Sequence, residues 1–454
     1  MREGKGFRGK GFGQCYALRS SPCNDILVER LSGSGDCETL TRDIEETRDK
    51  SLGMEQPVIF RDLVPEIPST TYGTFGLYKY PAKFIPQVIA YALKAYSAPG
   101  WSVFDPFAGY GTVGTVARLY GNSYELWDLN PMLKYFHAVS VMRPVKLEPV
   151  EFVRRMRAHA DRFEPDWPNL AYWYPERFLP MLHKAWGFYH SLEDGASRNV
   201  LLIPLIKASR YFSYDDEKRQ KLSRSPVAKR RTDWLEGHDW QDMFFGKILT
   251  GINQVLTSLA EYQTLAPSDA RATVRAGING LGSELSENHD ILITSPPYLQ
   301  AQEYIRASKM DLFWLGHSEV EIKKLTKMEF PNQQVPIIPI HSPTYHSCLA
   351  DIEEPHLAHL YQRYFSGVLG TLSHVQRNVS RYLLLFVGSA TVRTKPIPID
   401  RIFLEHFEAL GWKHEVTLVD TIMARTMFFY DKNPATQSQD RRMSTERLVV
   451  LSRT

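Results

Sequence analysis

Three glycines placed between a β-prone segment and a helical one constrain this chain's fold more than any other feature. From Trp101 the sequence reads WSVFDPFAGYGTVGTVARLYGNSYELWDLNP. Val103 to Asp105 reads as the end of a buried strand. Thr112 to Tyr120 reads as a helix, with Gly121 as its stop signal. Between them stand Gly109, Gly111 and Gly114 in the spacing G-x-G-x-x-G, which lets the backbone turn tightly and approach a ligand. A second short strand, Tyr124 to Trp127, ends in Asp128, 19 residues beyond Gly109. An acid at that tip can accept hydrogen bonds from both ribose hydroxyls of an adenosine moiety. The motif alone leaves three readings open. It fits a dinucleotide-binding fold, a methyltransferase whose S-adenosylmethionine lies over the same turn, or a glycine-rich turn that holds no ligand.

A second signal, DILITSPPY over Asp290 to Tyr298, narrows the choice. Ile291 to Thr294 is a short apolar run, hence a buried strand. Two prolines cannot continue a sheet or enter a helix interior, so the chain must leave as a stiff extended turn. Such a turn suits a flat, amine-bearing ring held at the carboxyl edge of the sheet. Ser295 Oγ and the Pro296 carbonyl can accept from an exocyclic NH2, and Tyr298 can stack on the ring, a contact worth about 1–3 kcal/mol in other stacking platforms. Held in this way, the nitrogen lone pair turns towards the methyl of a sulfonium, and the methyl transfers in line without a covalent intermediate.

DPFAGYGT, then WDLNP, then TSPPY together resemble the amino-group DNA methyltransferases, which modify N4 of cytosine or N6 of adenine. Tyr78 to Pro86, YKYPAKFIP, is similar to the segment that supports the methionine end of the cofactor in that family. The likeness covers about residues 70–145 and 285–316, and more loosely 380–425. It implies a Rossmann-like, S-adenosylmethionine-dependent α/β methyltransferase fold. It further implies that Lys83, Phe84, Asp105, Phe107, Gly109, Gly111, Thr112 and Asp128 hold S-adenosylmethionine, and that Ser295, Pro296, Pro297 and Tyr298 form the catalytic turn. One departure stands out. Relatives often carry an acid on the strand before SPPY, whereas Val274 to Asn279 here has none, leaving Asn279 in its place.

In the family, SPPY tends to accompany N4-cytosine transfer, and Asp or Asn for Ser tends to accompany N6-adenine. Carbon-5 methylation needs a cysteine nucleophile beside proline, and Cys348 is followed by Leu349. The expected activity is therefore site-specific DNA methylation at an exocyclic amine, N4 of cytosine before N6 of adenine, after base flipping. A methyltransferase acting on an RNA base amine and a catalytically silent DNA-binding protein are the rivals. The resemblance implies duplex DNA as partner, a restriction endonuclease as a plausible companion, and a prokaryotic cytoplasmic setting at the nucleoid.

Bulk properties agree without adding much. Of 454 residues, 43% are hydrophobic and 23% charged, an ordinary folded mixture, and the length suggests two or three domains. The net charge of +3 is too mild to prove a nucleic-acid partner. No apolar run reaches membrane-spanning length, and the basic start lacks the apolar core of a signal peptide. Three of the four cysteines, Cys15, Cys23 and Cys37, precede residue 38 in a spacing that matches no common zinc site. No metal is expected, the grouping of His341, His346 and Cys348 included.

Four segments are expected. Residues 1–53, with nine basic and nine acidic residues and no apolar period, read as a poorly ordered extension, with the functional protein starting near Met54. Residues 54–150 carry the cofactor motif and 271–454 the SPPY motif. Residues 151–270 form a large, partly helical insertion and the expected target-recognition region. There Phe152, Met156 and His159 recur at helical spacing, an aromatic cluster runs from Trp167 to Phe188, and Lys218 to Arg231 holds seven basic residues and no acid. Pro226 makes that run a predicted loop. Lys221, Arg224, Lys229, Arg230 and Arg231 are its candidate DNA-phosphate contacts, each steepening the salt slope by about 0.9. Trp234 and Trp240 are expected in the core, and residues 318–352 as an irregular block.

Overall fold

The computed structural model describes residues 55–421 and 445–453, except 81, 82, 194, 220, 286, 300–302 and 394. The predicted extension and three of the cysteines lie outside them. Ten strands are β1 Glu55–Val58, β2 Ser102–Asp105, β3 Ser123–Asp128, β4 Ala272–Ala276, β5 His289–Thr294, β6 Val379–Gly388, β7 Ala390–Val392, β8 Lys395–Ile397, β9 Lys413–Thr421 and β10 Thr445–Ser452. Eight of them form one sheet in the order β1-β9-β10-β6-β5-β2-β3-β4, and β7 pairs with β8 alone. Every pairing in the large sheet is parallel except those of β10 with β6 and β9.

From β2 onward the large sheet follows a doubly wound order, with antiparallel β10 slipped between β6 and β9. The order in which strands are added reverses between β2 and β5: β3 and β4 lie to one side of β2, while β6 lies on the far side of β5. In such sheets the crevice at this switch point, outside the carboxyl ends of the strands, is where ligands bind.

The strands are apolar on both faces because both are covered. Val103, Ile291, Ile293, Leu384 and Phe386 face α1 (Pro86–Tyr96) and α2 (Thr112–Ala117). Their neighbours Phe104, Leu292, Leu383 and Leu385 face the opposite layer. After α3 (Met132–Ser140) the chain leaves the sheet for α4 (Pro149–Ala158), α5 (Leu179–Ser191), α6 (Ala196–Tyr211), α7 (Pro226–Glu236) and α8 (Trp240–Thr264). After β5 come α9 (Tyr304–Trp314), α10 (Glu319–Met328), α11 (Pro343–Ala350) and α12 (Pro355–Val375), and after β8 comes α13 (Ile399–Ala409). The layer opposite α1 and α2 is built from α12 and α13, through residues such as Phe365, Leu369, Phe403 and Phe407. No helix among the described residues is long and apolar enough to cross a membrane.

The insertion shares its core with the sheet domain. Phe136 of α3 and Phe313 and Trp314 of α9 belong to the same apolar cluster as Phe152, Trp186, Leu205 and Ile248. A buried polar clamp adds to this. Arg210 on α6 donates to Asp215 at 2.8 Å and to both oxygens of Asp311 on α9 at 2.8 Å, and Tyr78 Oη donates to Asp311 at 2.8 Å. A buried charge left without its partners would cost several kcal/mol, so these residues hold one arrangement. At the far end of α8, Tyr262 Oη donates to the Thr115 carbonyl at 2.7 Å.

Four sequence expectations are corrected. Pro226 opens a helix instead of breaking one. It is the first residue of α7, where its missing N–H costs nothing, and Ser225 caps the turn by accepting from Ala228 N at 3.1 Å. Residues 318–352 hold α10 and α11, and Ser318 and Glu321 make a reciprocal capping box. Trp234 is half exposed, whereas Trp240 is buried as expected. His159 stands beyond α4 in extended backbone.

Candidate active site

A cleft of about 900 Å³, solvent-continuous space included, opens at the switch point. Its walls come from several chain segments brought together by the fold. The turn after β2 contributes Asp105 to Tyr110, the tip of β3 contributes Asp128 to Asn130, and the turn after β5 contributes Ser295 and Pro297. The loop between α10 and α11 contributes Glu329 and Phe330.

The glycine turn is shaped as its spacing requires, with a different reason at each position. Gly109 has φ +53°, and a Cβ there would stand 3.0 Å from Tyr80 Cε1. Gly111 caps α2 with φ +86°. Gly114 lies inside α2, where a Cβ would meet Tyr124 Cε2 of β3 at 2.6 Å, so it allows helix and strand to pack closely. Asp128 ties the turn to the second strand. Its Oδ2 accepts from Gly109 N at 2.7 Å and its Oδ1 from Asn130 N at 2.7 Å. Each oxygen keeps a further lone pair for a hydroxyl donor. Burial pushes its carboxyl up to about 6 against the pull of the two N–H groups.

Asp105 ends β2 and is buried. Its Oδ1 accepts from Phe107 N at 3.0 Å and from Thr294 Oγ1 at 2.6 Å. Burial pushes its carboxyl up to about 7, the two hydrogen bonds opposing and the nearby Asp128 reinforcing. Lys83 donates to the Phe75 carbonyl and stands 3.7 Å over the Tyr110 ring, and burial brings its ammonium down to about 7.

Of the residues assigned to the cofactor, Lys83, Phe84, Asp105, Phe107, Gly109 and Asp128 line this cleft. Gly111 and Thr112 stand behind it at the start of α2. Of the catalytic turn, Ser295 and Pro297 line it, Pro296 is buried, and the Pro297 carbonyl accepts from Tyr364 Oη at 2.7 Å. Tyr298 does not line the cleft; its hydroxyl donates to Glu446 Oε1 on β10 at 2.8 Å. Asn279 lines the cleft, and its Oδ1 accepts from Leu281 N at 3.2 Å.

Among the aromatic residues that do line the cleft, Tyr80 and Tyr304 are stacked with ring centroids 6.3 Å apart and planes 19° from parallel. Sequence reasoning missed Tyr304 as a site residue. It also missed Glu329, a buried carboxyl whose Oε1 accepts from Ile305 N at 2.8 Å at the start of α9. Burial, with Glu303 and Asp128 adding repulsion, pushes Glu329 up to about 8. Neither residue carries a local signal, because each meets its partner through folding alone.

The basic run lies away from this cleft, and most of its cations have partners. Lys221 pairs with Glu303 at 2.7 Å and Lys229 with Asp233 at 2.9 Å. Arg231 donates to the Ser213 and Asp215 carbonyls at 2.8 Å each. Arg224 stands over the rings of Tyr172 and Tyr214 at 4.3 and 4.4 Å. Arg230 is exposed on α7. His341 donates its backbone N–H to His406 Nδ1 at 3.1 Å. Among the described residues no group of three or more His, Cys, Asp or Glu side chains is placed to hold a metal.

No protein-family profile matches the chain, and no curated protein matches it. Two solved structures of the rRNA methyltransferase aviRa from Streptomyces viridochromogenes were found. One is 10% identical over 83% of this chain and 88% of that chain, with a TM-score of 0.27. The other is 11% identical over 68% and 77%, with a TM-score of 0.22. At these values the likeness says nothing about which reaction this chain performs. The sheet order, with its ligand crevice at the switch point, stands on its own.

Proposed function

We propose that the chain is a methyltransferase that uses S-adenosylmethionine to methylate an exocyclic base amine, N4 of cytosine in DNA being the first choice. One observation carries this reading. The G-x-G turn with its acid and the Ser-Pro-Pro turn, 184 positions apart from Gly111 to Ser295, border a single cleft at the switch point.

The residues present fit the cofactor. Gly109 lets the backbone line the cleft with no side chain of its own, and Asp128 keeps hydrogen-bonding capacity at the tip of β3. Asp128 would hold the ribose, and Lys83 and Phe84 would border the methionine end. S-adenosylmethionine supplies an electrophilic methyl on a sulfonium. Ser295 Oγ and the Pro296 carbonyl would accept the two amine N–H groups and so turn the nitrogen lone pair towards that methyl. In this geometry Tyr304, with Tyr80, borders the ring in the role that the sequence assigned to Tyr298. Delivering a duplex base to Ser295 requires unstacking it, at a cost of a few kcal/mol.

The deciding experiment supplies the full chain with mixed-sequence duplex DNA and methyl-labelled S-adenosylmethionine. The DNA is digested to nucleosides and analysed by mass spectrometry. Label in N4-methylcytosine is the expected result. Label in N6-methyladenine keeps the class and overturns the base. Cofactor binding without label in DNA, followed by label in RNA, moves the substrate to RNA.

A further inference from the structure

Next to the cleft lies a second cavity, of about 1550 Å³ with its solvent-continuous space. It is bounded by α6, α8, Tyr78 to Tyr80 and the first turns of α9. We propose that it binds the phosphodiester backbone of the strand that carries the target base. This rests on the reading of the cleft as a base-methylating site and adds how the substrate is held.

Charge is the first argument. Five cations line the cavity: Lys79, Lys207, Arg210, Arg219 and Lys247. Its two carboxylates are already engaged, Asp215 by Arg210 at 2.8 Å and Glu217 by Arg231 at 3.6 Å. Arg210 is spent on the clamp to Asp215 and Asp311, and Arg219 reaches Asp216 at 3.4 Å. Lys79, Lys207 and Lys247 form no ion pair among the described residues. Lys207 and Lys247 are both half-buried; burial first and the nearby Lys247 second disfavour the Lys207 ammonium, with Glu217 opposing. Lys247 stands over the Tyr211 ring, at 3.9 Å. Two neighbouring half-buried ammonium groups with no ion-pair partner among the described residues favour an anion placed between them.

Position is the second argument. Tyr80 lines both cavities. Asn130 of the cleft donates through Nδ2 to Ser308 Oγ of the second cavity at 2.9 Å, so the partition there is one side chain thick. A strand lying along the lysines would present an adjoining nucleotide to the wall beside Ser295. The contrast with Lys221 to Arg231 is physical. Most cations conspicuous in sequence are engaged by folding, while three lysines scattered over positions 79, 207 and 247 are gathered with no ion pair among the described residues.

The test titrates the full chain with a fluorescently labelled mixed-sequence oligonucleotide, duplex and single-stranded, over a range of salt. S-adenosylmethionine binding is measured in parallel by calorimetry. Replacing both Lys207→Gln and Lys247→Gln should weaken oligonucleotide binding about 10-fold or more. It should also flatten the slope of log K against log salt by about 0.7–0.9 per lysine, with cofactor binding unchanged. Lys207→Arg with Lys247→Arg should restore both affinity and slope. Wild-type affinity and slope in the Gln pair, an Arg pair as weak as the Gln pair, or no oligonucleotide binding by the unaltered chain would each overturn the assignment. Lysine-dependent oligonucleotide binding in a chain that does not bind S-adenosylmethionine would remove the methyl-transfer reading and leave the phosphate site standing.

Discussion

The hydroxyl of Thr294 donates to Asp105 Oδ1 at 2.6 Å, joining the carboxyl ends of β5 and β2, the two strands that frame the cleft. Both side chains are buried, and this hydrogen bond together with the Phe107 N–H opposes the burial that pushes Asp105 upward. Thr294→Val keeps the shape and removes the donor. Leaving a buried carboxyl short of a partner costs about 1–3 kcal/mol. The variant should therefore melt several degrees lower and bind S-adenosylmethionine more weakly. A melting point and cofactor affinity equal to wild type would show that the contact does not organise the site.

The G-x-G-x-x-G spacing hides two different requirements, and two alanine variants separate them. Gly109→Ala places a methyl group against Tyr80 in a left-handed backbone that costs an L-residue about 1–2 kcal/mol. Tyr80 can give way, so the chain should stay folded while cofactor affinity drops at least about 10-fold. Gly114→Ala drives a methyl group into Tyr124 and Leu126, and overpacking of this kind costs about 1–3 kcal/mol. Its loss should register as lower thermal stability, with cofactor affinity largely kept. Thermal melts and calorimetry on the two proteins check the split, and the reverse pattern would refute it.

Ser295 borders the cleft at the start of the Ser-Pro-Pro turn. Ser295→Ala removes one acceptor for the substrate amine without touching the glycine turn or Asp128. A lost hydrogen bond of about 1–3 kcal/mol in the transition state corresponds to about a 5- to 160-fold lower turnover. Cofactor affinity should be unchanged. Single-turnover methyl transfer together with calorimetry makes the measurement, and undiminished turnover would sink the assigned role.

Much of the sheet was legible because its strands are short apolar runs ending at recognisable turns. Asp105, Gly109, Asp128 and Ser295 are set by neighbours within a few positions, so their placement at strand ends could be read directly. Pro226 misled because the same residue that breaks a helix interior suits its first turn, and Ser225 beside it was the signal for the second choice. The capping pair Ser318 and Glu321 was likewise present in a segment read as irregular. Tyr304 stacks on a residue 224 positions away, and Glu329 meets Ile305 N across 24. No local pattern encodes either contact. The charge run differs again, since Glu303, which pairs with Lys221, lies 82 positions along the chain and could not be read beside it.

Glu329 gives a pH signature that belongs to one residue. Burial holds its carboxyl at about 8, against an ordinary value of 4.5. Between those values the folded chain keeps a proton that the unfolded chain has lost. Folding therefore takes up a proton, and the stabilising effect of the protonated acid is complete below about 4.5 and lost as pH rises through 8. Asp105 and Asp128 are also pushed up and tilt the wild-type curve in the same direction, at lower pH. Comparing Glu329→Gln with wild type cancels their contribution. Gln is nearly isosteric, and its carbonyl can still accept from Ile305 N. The melting temperature of the variant minus that of wild type should rise from pH 5 to about pH 8 and level off by pH 9, by about 1 °C for each kcal/mol of relieved burial. A difference that stays flat across this range would mean that Glu329 is ionised in the folded protein and that the cleft carries its charge.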